Sequence, residues 1–300
     1  TDSRYTYFHS HPKEKTPMRK LIVAILAASL AIALPAAAAE STLAKIKQSG
    51  VLKLGYRENS MPFSFIAGDS KPRGYSIDLC EIVAKDVARQ LNMPNLQVRW
   101  VPVTAQNRFE SLKSGKIDLE CGNTTQTLSR RADFDFSVMT YVDGASLLFL
   151  KGEKPKTLVQ INGQRVAVVA GTTTEKVFDA LVSAEKIGIR LLKVADHDAA
   201  LKALQDRSVT AYAADRTVLV TIAVVKGEEG SYEVSETQFT YEPYGLMMRR
   251  DADFRLLVDR SLSRLYRSGD IGQIIQRWFE PLGEPSEVLR AIFMLNSLPD

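Results

Sequence analysis

The chain has 300 residues, 45% of them hydrophobic and 25% charged, with a formal charge of +4 and only two cysteines. That is globular usage, enough for one large or two medium domains. Residues 1–39 hold Arg4, Lys13, Lys15, Arg19 and Lys20 against Asp2 and Glu14, or +3, so the remainder carries +1. No basic surplus is left to draw the folded part onto nucleic acid or an anionic membrane.

Met18-Arg19-Lys20 opens a cationic segment, and 21–34 is apolar but for Ser29. Pro35 and the alanines at 36–39 then supply the small residues a signal peptidase needs. Residues 18–39 read as a cleaved secretory leader, too short to span a bilayer, which takes about 20 apolar residues. Residues 1–17, polar and carrying Pro12 and Pro17, read as an upstream extension with no part in the fold. No cysteine stands at the leader boundary to take a lipid anchor, so the expected destination is the periplasm or the medium. There Cys80 and Cys121 form either a bridge or two buried thiols.

Ser41 caps a short helix that Gly50 ends, and 51–56 is a buried strand. Turns at Pro62, Gly68, Pro72 and Gly74 flank a strand over 63–66, whose Phe63 and Phe65 fill the core. An apolar stripe at Ile77, Leu79, Cys80, Val83 and Val87 predicts a helix over 77–91. A strand over 98–103, a helix over 106–114 and a strand over 117–120 follow. A second series comprises an extended run over 138–150, a strand over 165–170 and a helix from Thr172 to about 184. It continues with a strand over 189–194, a helix capped by Asp196, a strand over 209–214 and another over 244–248. Helices over 253–267 and 271–279 precede a tail, 281–300, expected to pack through Leu289, Ile292, Phe293 and Leu295.

Strands alternating with helices give an α/β fold, here two lobes. The spans are 40–143 with 245–280 for the first lobe and 144–244 for the second, with the tail on the first. The crossings near Asp143-Gly144 and Pro243-Tyr244-Gly245 would make a hinge. Ligand groups belong at the carboxyl ends of the strands. Arg108 opens a helix after a strand, and its fork suits a carboxylate as well as a surface ion pair. Asp215 ends a strand, as an ammonium partner or as the cap of the next helix. Arg57 and His197 are further cations, although a lone histidine at a helix start is commonly just solvated. Gly171-Thr172-Thr173 is a weak anion loop without the Gly-Lys-Ser/Thr ending of a phosphate loop. Asn123, Thr124 and Thr125 add amide and hydroxyl groups. No catalytic triad, metal-ligand cluster or dinucleotide fingerprint is legible, and no cofactor or metal is expected.

Taken together, several segments resemble one family. They are Gly55-Tyr56-Arg57-Glu58-Asn59-Ser60, Pro62-Phe63-Ser64, Gly74-Tyr75-Ser76, Gln106-Asn107-Arg108 and Glu120-Cys121-Gly122-Asn123-Thr124-Thr125, then Gly171-Thr172-Thr173, Asp196-His197 and Tyr244-Gly245. In order and spacing they are similar to the periplasmic amino-acid-binding proteins of ABC importers, in the glutamate/aspartate branch. The resemblance implies the two-lobed type II binding-protein fold, a monomer, and delivery of an amino acid to permease subunits. It implies that Arg108 and Thr125 clamp the α-carboxylate and that Asp215, helped by Asn123, meets the α-ammonium. Arg57, Thr172 and His197 would take a side-chain carboxylate. Ala105 and Asn123 stand where this family commonly has serine, which leaves glutamine or another polar amino acid open beside glutamate and aspartate. Two other readings accompany this one: a same-fold periplasmic enzyme such as a cyclohexadienyl dehydratase, with Glu175 or His197 as acid or base, and a soluble protein that presents ligand to a sensor.

Overall fold

The computed structural model describes residues 41–153, 157–184, 187–225 and 231–299. The extension and the leader lie outside the described residues. Residues 41–300 form one compact unit, and no described helix is long and apolar enough to cross a membrane.

Two five-stranded sheets organise it. The first contains β1 (Val51–Tyr56), β5 (Gln97–Pro102), β6 (Leu119–Glu120), β7 (Phe134–Phe136) and β15 (Met247–Arg249), in the order β5-β1-β6-β15-β7. Strand β1 runs parallel to β5 and β6, whereas β15 returns antiparallel between β6 and β7. The second contains β9 (Ala145–Leu150), β10 (Arg165–Val169), β11 (Arg190–Val194), β12 (Ala211–Asp215) and β13 (Tyr232–Val234), in the order β11-β10-β12-β9-β13. Its three successive neighbours β11, β10 and β12, from one edge inward, are parallel, while β9 pairs antiparallel to β12 and β13. A separate ribbon of β8 (Tyr141–Asp143) and β14 (Glu242–Tyr244) joins the sheets, with Asp143 opposite Glu242 and Tyr141 opposite Tyr244. A small sheet of Asn59–Ser60, Ser64–Ile66 and Pro72–Arg73 completes the strands (β2, β3, β4).

Local chemistry accounts for most element ends. Ser41 accepts the Ala44 N–H at the start of the first helix, Thr42–Ser49, and Gly50 closes it at φ +70°. Helix Tyr75–Gln90 buries Ile77, Leu79, Cys80, Val83 and Val87 on one stripe against the first sheet. Cys80 on that helix is bridged to Cys121, just past β6, with Cα atoms 6.1 Å apart. The alternative of two buried thiols is therefore excluded.

The ribbon rests on aromatic rings. Tyr141 stacks on Phe279 at 5.0 Å, Phe63 meets Tyr244 edge-on at 5.2 Å, and the buried Tyr75 hydroxyl donates to the Thr140 carbonyl. Such pairs add about 0.5–1.5 kcal/mol each beyond their area.

Three expectations are corrected. The run 138–150 is not one strand but β8 and β9, broken at Gly144. A β-carbon there would lie 2.6 Å from the Thr240 carbonyl oxygen, because the returning chain crosses at that point. Likewise 244–248 divides into β14 and β15 at Gly245-Leu246, where Gly245 N–H bonds to Thr124 and Leu246 N–H to the Ser137 hydroxyl. In the tail helix Glu287–Leu295, Leu289 and Ile292 are buried and Phe293 lies 5.0 Å from the Tyr266 ring. Leu295 instead faces solvent.

The bridge closes a segment of 41 residues, which restricts the unfolded chain by about 4 kcal/mol in the loop-entropy account. Cys80→Ser is expected to lower the melting temperature by roughly 10 °C, at about 2–4 °C per kcal/mol for domains of this size. Thermal unfolding followed by circular dichroism, with and without reductant, checks this; an unchanged midpoint would contradict it.

Candidate functional site

The carboxyl ends of the parallel strands in both sheets converge on one cleft. Its cavity volume is only about 20 Å³, and it is lined by Arg57, Arg108, Asn123, Thr125, Thr172, His197 and Asp215, together with Thr173 and Thr174. All seven residues singled out in the sequence thus meet in one place. Arg57 follows β1, Asn123 and Thr125 follow β6, and Arg108 opens the helix Arg108–Lys113 after β5. From the second sheet, Thr172 follows β10, His197 follows β11, and Asp215 ends β12.

The two walls touch. Arg108 Nη2 donates to the Gly171 carbonyl at 3.3 Å, Gln106 to the Ala195 carbonyl at 3.0 Å, and Asn123 Nδ2 to Asp215 Oδ2 at 3.3 Å. Gly171 has φ +79°, and a β-carbon on it would sit 2.8 Å from the Ala105 carbonyl oxygen. Glycine is needed there both for its backbone conformation and for the approach of the opposite wall.

The first wall is cationic. Arg57 and Arg108 are 4% and 3% exposed, and Arg130 behind them 7%. Burial pulls Arg57 down to about 10, with Arg108 adding to the effect. Burial and then Arg108 do the same to Arg130, also to about 10. Burial lowers Arg108 too, against the pull of Glu120 and Asp215. All three stay protonated at neutral pH. Arg108 and Arg130 lie over the Phe109 ring at 4.9 and 5.2 Å. Arg108 Nε is a buried donor with no acceptor among the described residues. Glu120, fully buried, has neither oxygen hydrogen-bonded and is a Coulombic partner of all three guanidiniums.

The second wall presents a carboxyl group. Asp215 Oδ2 accepts from Asn123 and from the Tyr244 hydroxyl. Burial pushes its pKa up to about 8, and the neighbouring Glu242 and Asp143 push the same way. Asp143 rises to about 6, chiefly through burial. Asp215 does not cap the following helix, Arg216–Val225: the Thr217 N–H there goes to Asp143 Oδ2 at 3.1 Å. That leaves Asp215 turned to the cleft.

Two hydroxyls are already committed. Thr172 caps the helix Thr173–Ser183 by accepting the Glu175 N–H, and it donates to the Val169 carbonyl. The Thr125 hydroxyl donates to Glu242 Oε2 at 2.5 Å. His197 is 6% exposed, contrary to a solvated surface residue, and its Nδ1 pairs with the buried Tyr212 hydroxyl.

Sequence reasoning assigned no site role to Glu120, Arg130, Glu242 or Tyr244, and placed Thr173 only in a weak anion loop. Glu242 carried one signal, a carboxylate in an otherwise apolar stretch beside the hinge crossing.

A two-lobed α/β molecule with a charged cleft at the strand ends has the build of a receptor for a small polar solute. The model of the bacterial extracellular solute-binding proteins, family 3, matches residues 52–281, and the chain belongs to that family. It is 34% identical over 269 residues to a glutamate/aspartate import solute-binding protein of Salmonella typhimurium, covering 88% of this chain and 89% of that one. It is also 34% identical to an L-glutamate/L-aspartate-binding protein of Pseudomonas aeruginosa, over 86% of each. Among solved structures, an ancestral amino-acid-binding protein described as a precursor of cyclohexadienyl dehydratase superposes with a TM-score of 0.69. It shares 25% identity over 80% of this chain and 100% of that one.

The raised pKa of Asp215 fixes a pH dependence. A carboxyl whose folded pKa exceeds its unfolded value stabilises the fold below about pH 4, and that contribution is lost as pH rises towards 8. Asp215→Asn should therefore gain on the wild type as pH rises. In ligand-free protein its melting point at pH 8 is expected to be higher by at least about 3 °C, the shift that roughly 1 kcal/mol produces. Melting curves from pH 4 to 9 test this; a constant gap would contradict it.

Proposed function

We propose that this protein is a periplasmic receptor that captures an acidic amino acid by closing its two lobes and hands it to the permease subunits of an ABC importer. Residues 40–143 and 245–280 form the first lobe, 144–244 the second, and 281–300 a tail on the first. One observation carries the reading: a buried arginine, Arg108, on one wall and a carboxylate, Asp215, on the other line the same cleft. A guanidinium and a carboxyl group facing one cleft suit the carboxylate and ammonium ends of one zwitterion.

Arg108 offers its fork to the α-carboxylate, joined by the first turn of Thr173–Ser183, where helix N–H groups lack intrahelical partners. Asp215 receives the α-ammonium. Asn123 Oδ1, a buried acceptor without a donor, adds to that subsite. Thr125 gives its only hydroxyl proton to Glu242, so its oxygen faces the ligand as an acceptor and not as a donor to the carboxylate. Arg57 and His197 supply positive or donor character for a second carboxylate. Glutamate and aspartate, named for the relatives, fit this distribution.

Ligand contacts to both walls favour the closed arrangement by their difference between states. The dehydratase alternative has less support. Glu175 is held by the Gly171 N–H at 2.6 Å and by Lys193 at 3.0 Å, away from the cleft lining. His197 Nδ1 is engaged by Tyr212.

Isothermal titration calorimetry tests the reading. Glutamate or aspartate is expected to bind wild type tightly. Arg108→Ala and Asp215→Ala are expected to weaken binding by at least about 100-fold, since losing a buried charge-assisted partner costs about 3 kcal/mol or more. Near wild-type affinity in both variants would overturn the site. An ammonium against Asp215 favours its ionised form, so binding at pH 7 should also release protons. Titrations in buffers of different ionisation enthalpy read this directly; identical heats would speak against it.

A further inference from the structure

We propose that Glu242 is a positioning residue that orients the hydroxyls of Thr125 and Thr173 from opposite walls, making both oxygens acceptors and so selecting for an amine-bearing ligand. This rests on the reading of the cleft as an amino-acid site and adds to it a residue that need not touch the ligand.

Glu242 lies on the returning hinge strand and is 1% exposed. One of its oxygens, Oε2, takes the Thr125 hydroxyl at 2.5 Å and the Thr173 hydroxyl at 2.7 Å. A hydroxyl has a single proton, and an ionised carboxylate only accepts. Both protons therefore point at Glu242, and what remains on each threonine oxygen is lone pairs. The two oxygens lie 3.4 Å apart, one from each wall, and both residues line the cleft. An ammonium, which only donates, finds acceptors in them. A carboxylate or hydroxyl placed there meets lone pairs or must turn a threonine away from Glu242.

The neighbours hold this arrangement in place. Asp143 is the register partner of Glu242 across the ribbon, and Arg130 donates to the Thr125 carbonyl at 2.8 Å while acting on Glu242 through its charge. Thr125 is therefore fixed at its backbone by an arginine and at its hydroxyl by a carboxylate. A side chain at 242 without an acceptor would release both hydroxyls to rotate and to donate into the cleft.

The test compares glutamate with glutarate, which keeps both carboxylates and lacks the amine. The dissociation constants of both are measured by direct and competition calorimetry for wild type, Glu242→Met and Glu242→Gln. In Glu242→Met the glutarate-to-glutamate ratio of dissociation constants is expected to fall by about tenfold or more, the worth of one hydrogen bond to a charged group. In Glu242→Gln, whose amide oxygen can still accept both protons, most of the ratio should return. If the methionine variant does not fold, Glu242→Ala carries the same expectation. Parallel weakening of both ligands, with the ratio unchanged in a folded variant, would mean a merely structural role and overturn the proposal alone. A wild type that binds neither glutamate nor aspartate would overturn the amino-acid reading, and this proposal with it.

Discussion

Guanidiniums buried within Coulomb range of one another repel, and the cleft is arranged around answering that repulsion. Arg57, Arg108 and Arg130 lose most of their water, and each feels at least one of the others. Desolvating ions costs several kcal/mol apiece unless opposite charge and hydrogen bonds offset it. Glu120 provides the offset from within the first lobe. Asp215 and Glu242 reach it from the second lobe and from the hinge strand. The first lobe's electrostatics are therefore complete only when the second lobe is near. A zwitterion between the walls adds charge of the right sign at each end, which ties recognition to closure.

The carboxylates tell the same story from the other side. Asp143, Asp215 and Glu242 come from three different strands and gather where the ribbon meets the second sheet. Their mutual repulsion is relieved by protonation, by donors such as the Tyr244 hydroxyl and Thr217 N–H, or by an arriving cation. The ribbon can hold such a cluster because its base is stiff, being packed on the rings of Phe63, Tyr75 and Phe279.

Much of this was legible in the chain because it is local. Ser41 and Asp196 read as helix caps and act as caps. The strand 51–56 and the helix 271–279 needed only hydrophobic period and glycine stops. The cleft residues were legible because strand ends are topologically fixed places. What escaped the sequence is non-local. The breaks at Gly144 and Gly245 exist because a distant segment crosses there. The short strands Phe134–Phe136 and Tyr232–Val234 owe their form to their partners β15 and β9. The role of Asp143 in capping could not be separated from that of Asp215 without knowing which strand passes beside the helix. Glu242 and Thr125 are more than a hundred residues apart in the chain, and nothing local announces that they share a proton.

The missing side chain at Gly171 governs how near the two jaws can come. Its bare backbone lets the opposing jaw settle against it, where a β-carbon would meet the Ala105 carbonyl. Bulk added there would act as a shim, holding the jaws ajar. How closely the jaws meet is thus set in part at a position that carries no side chain of its own.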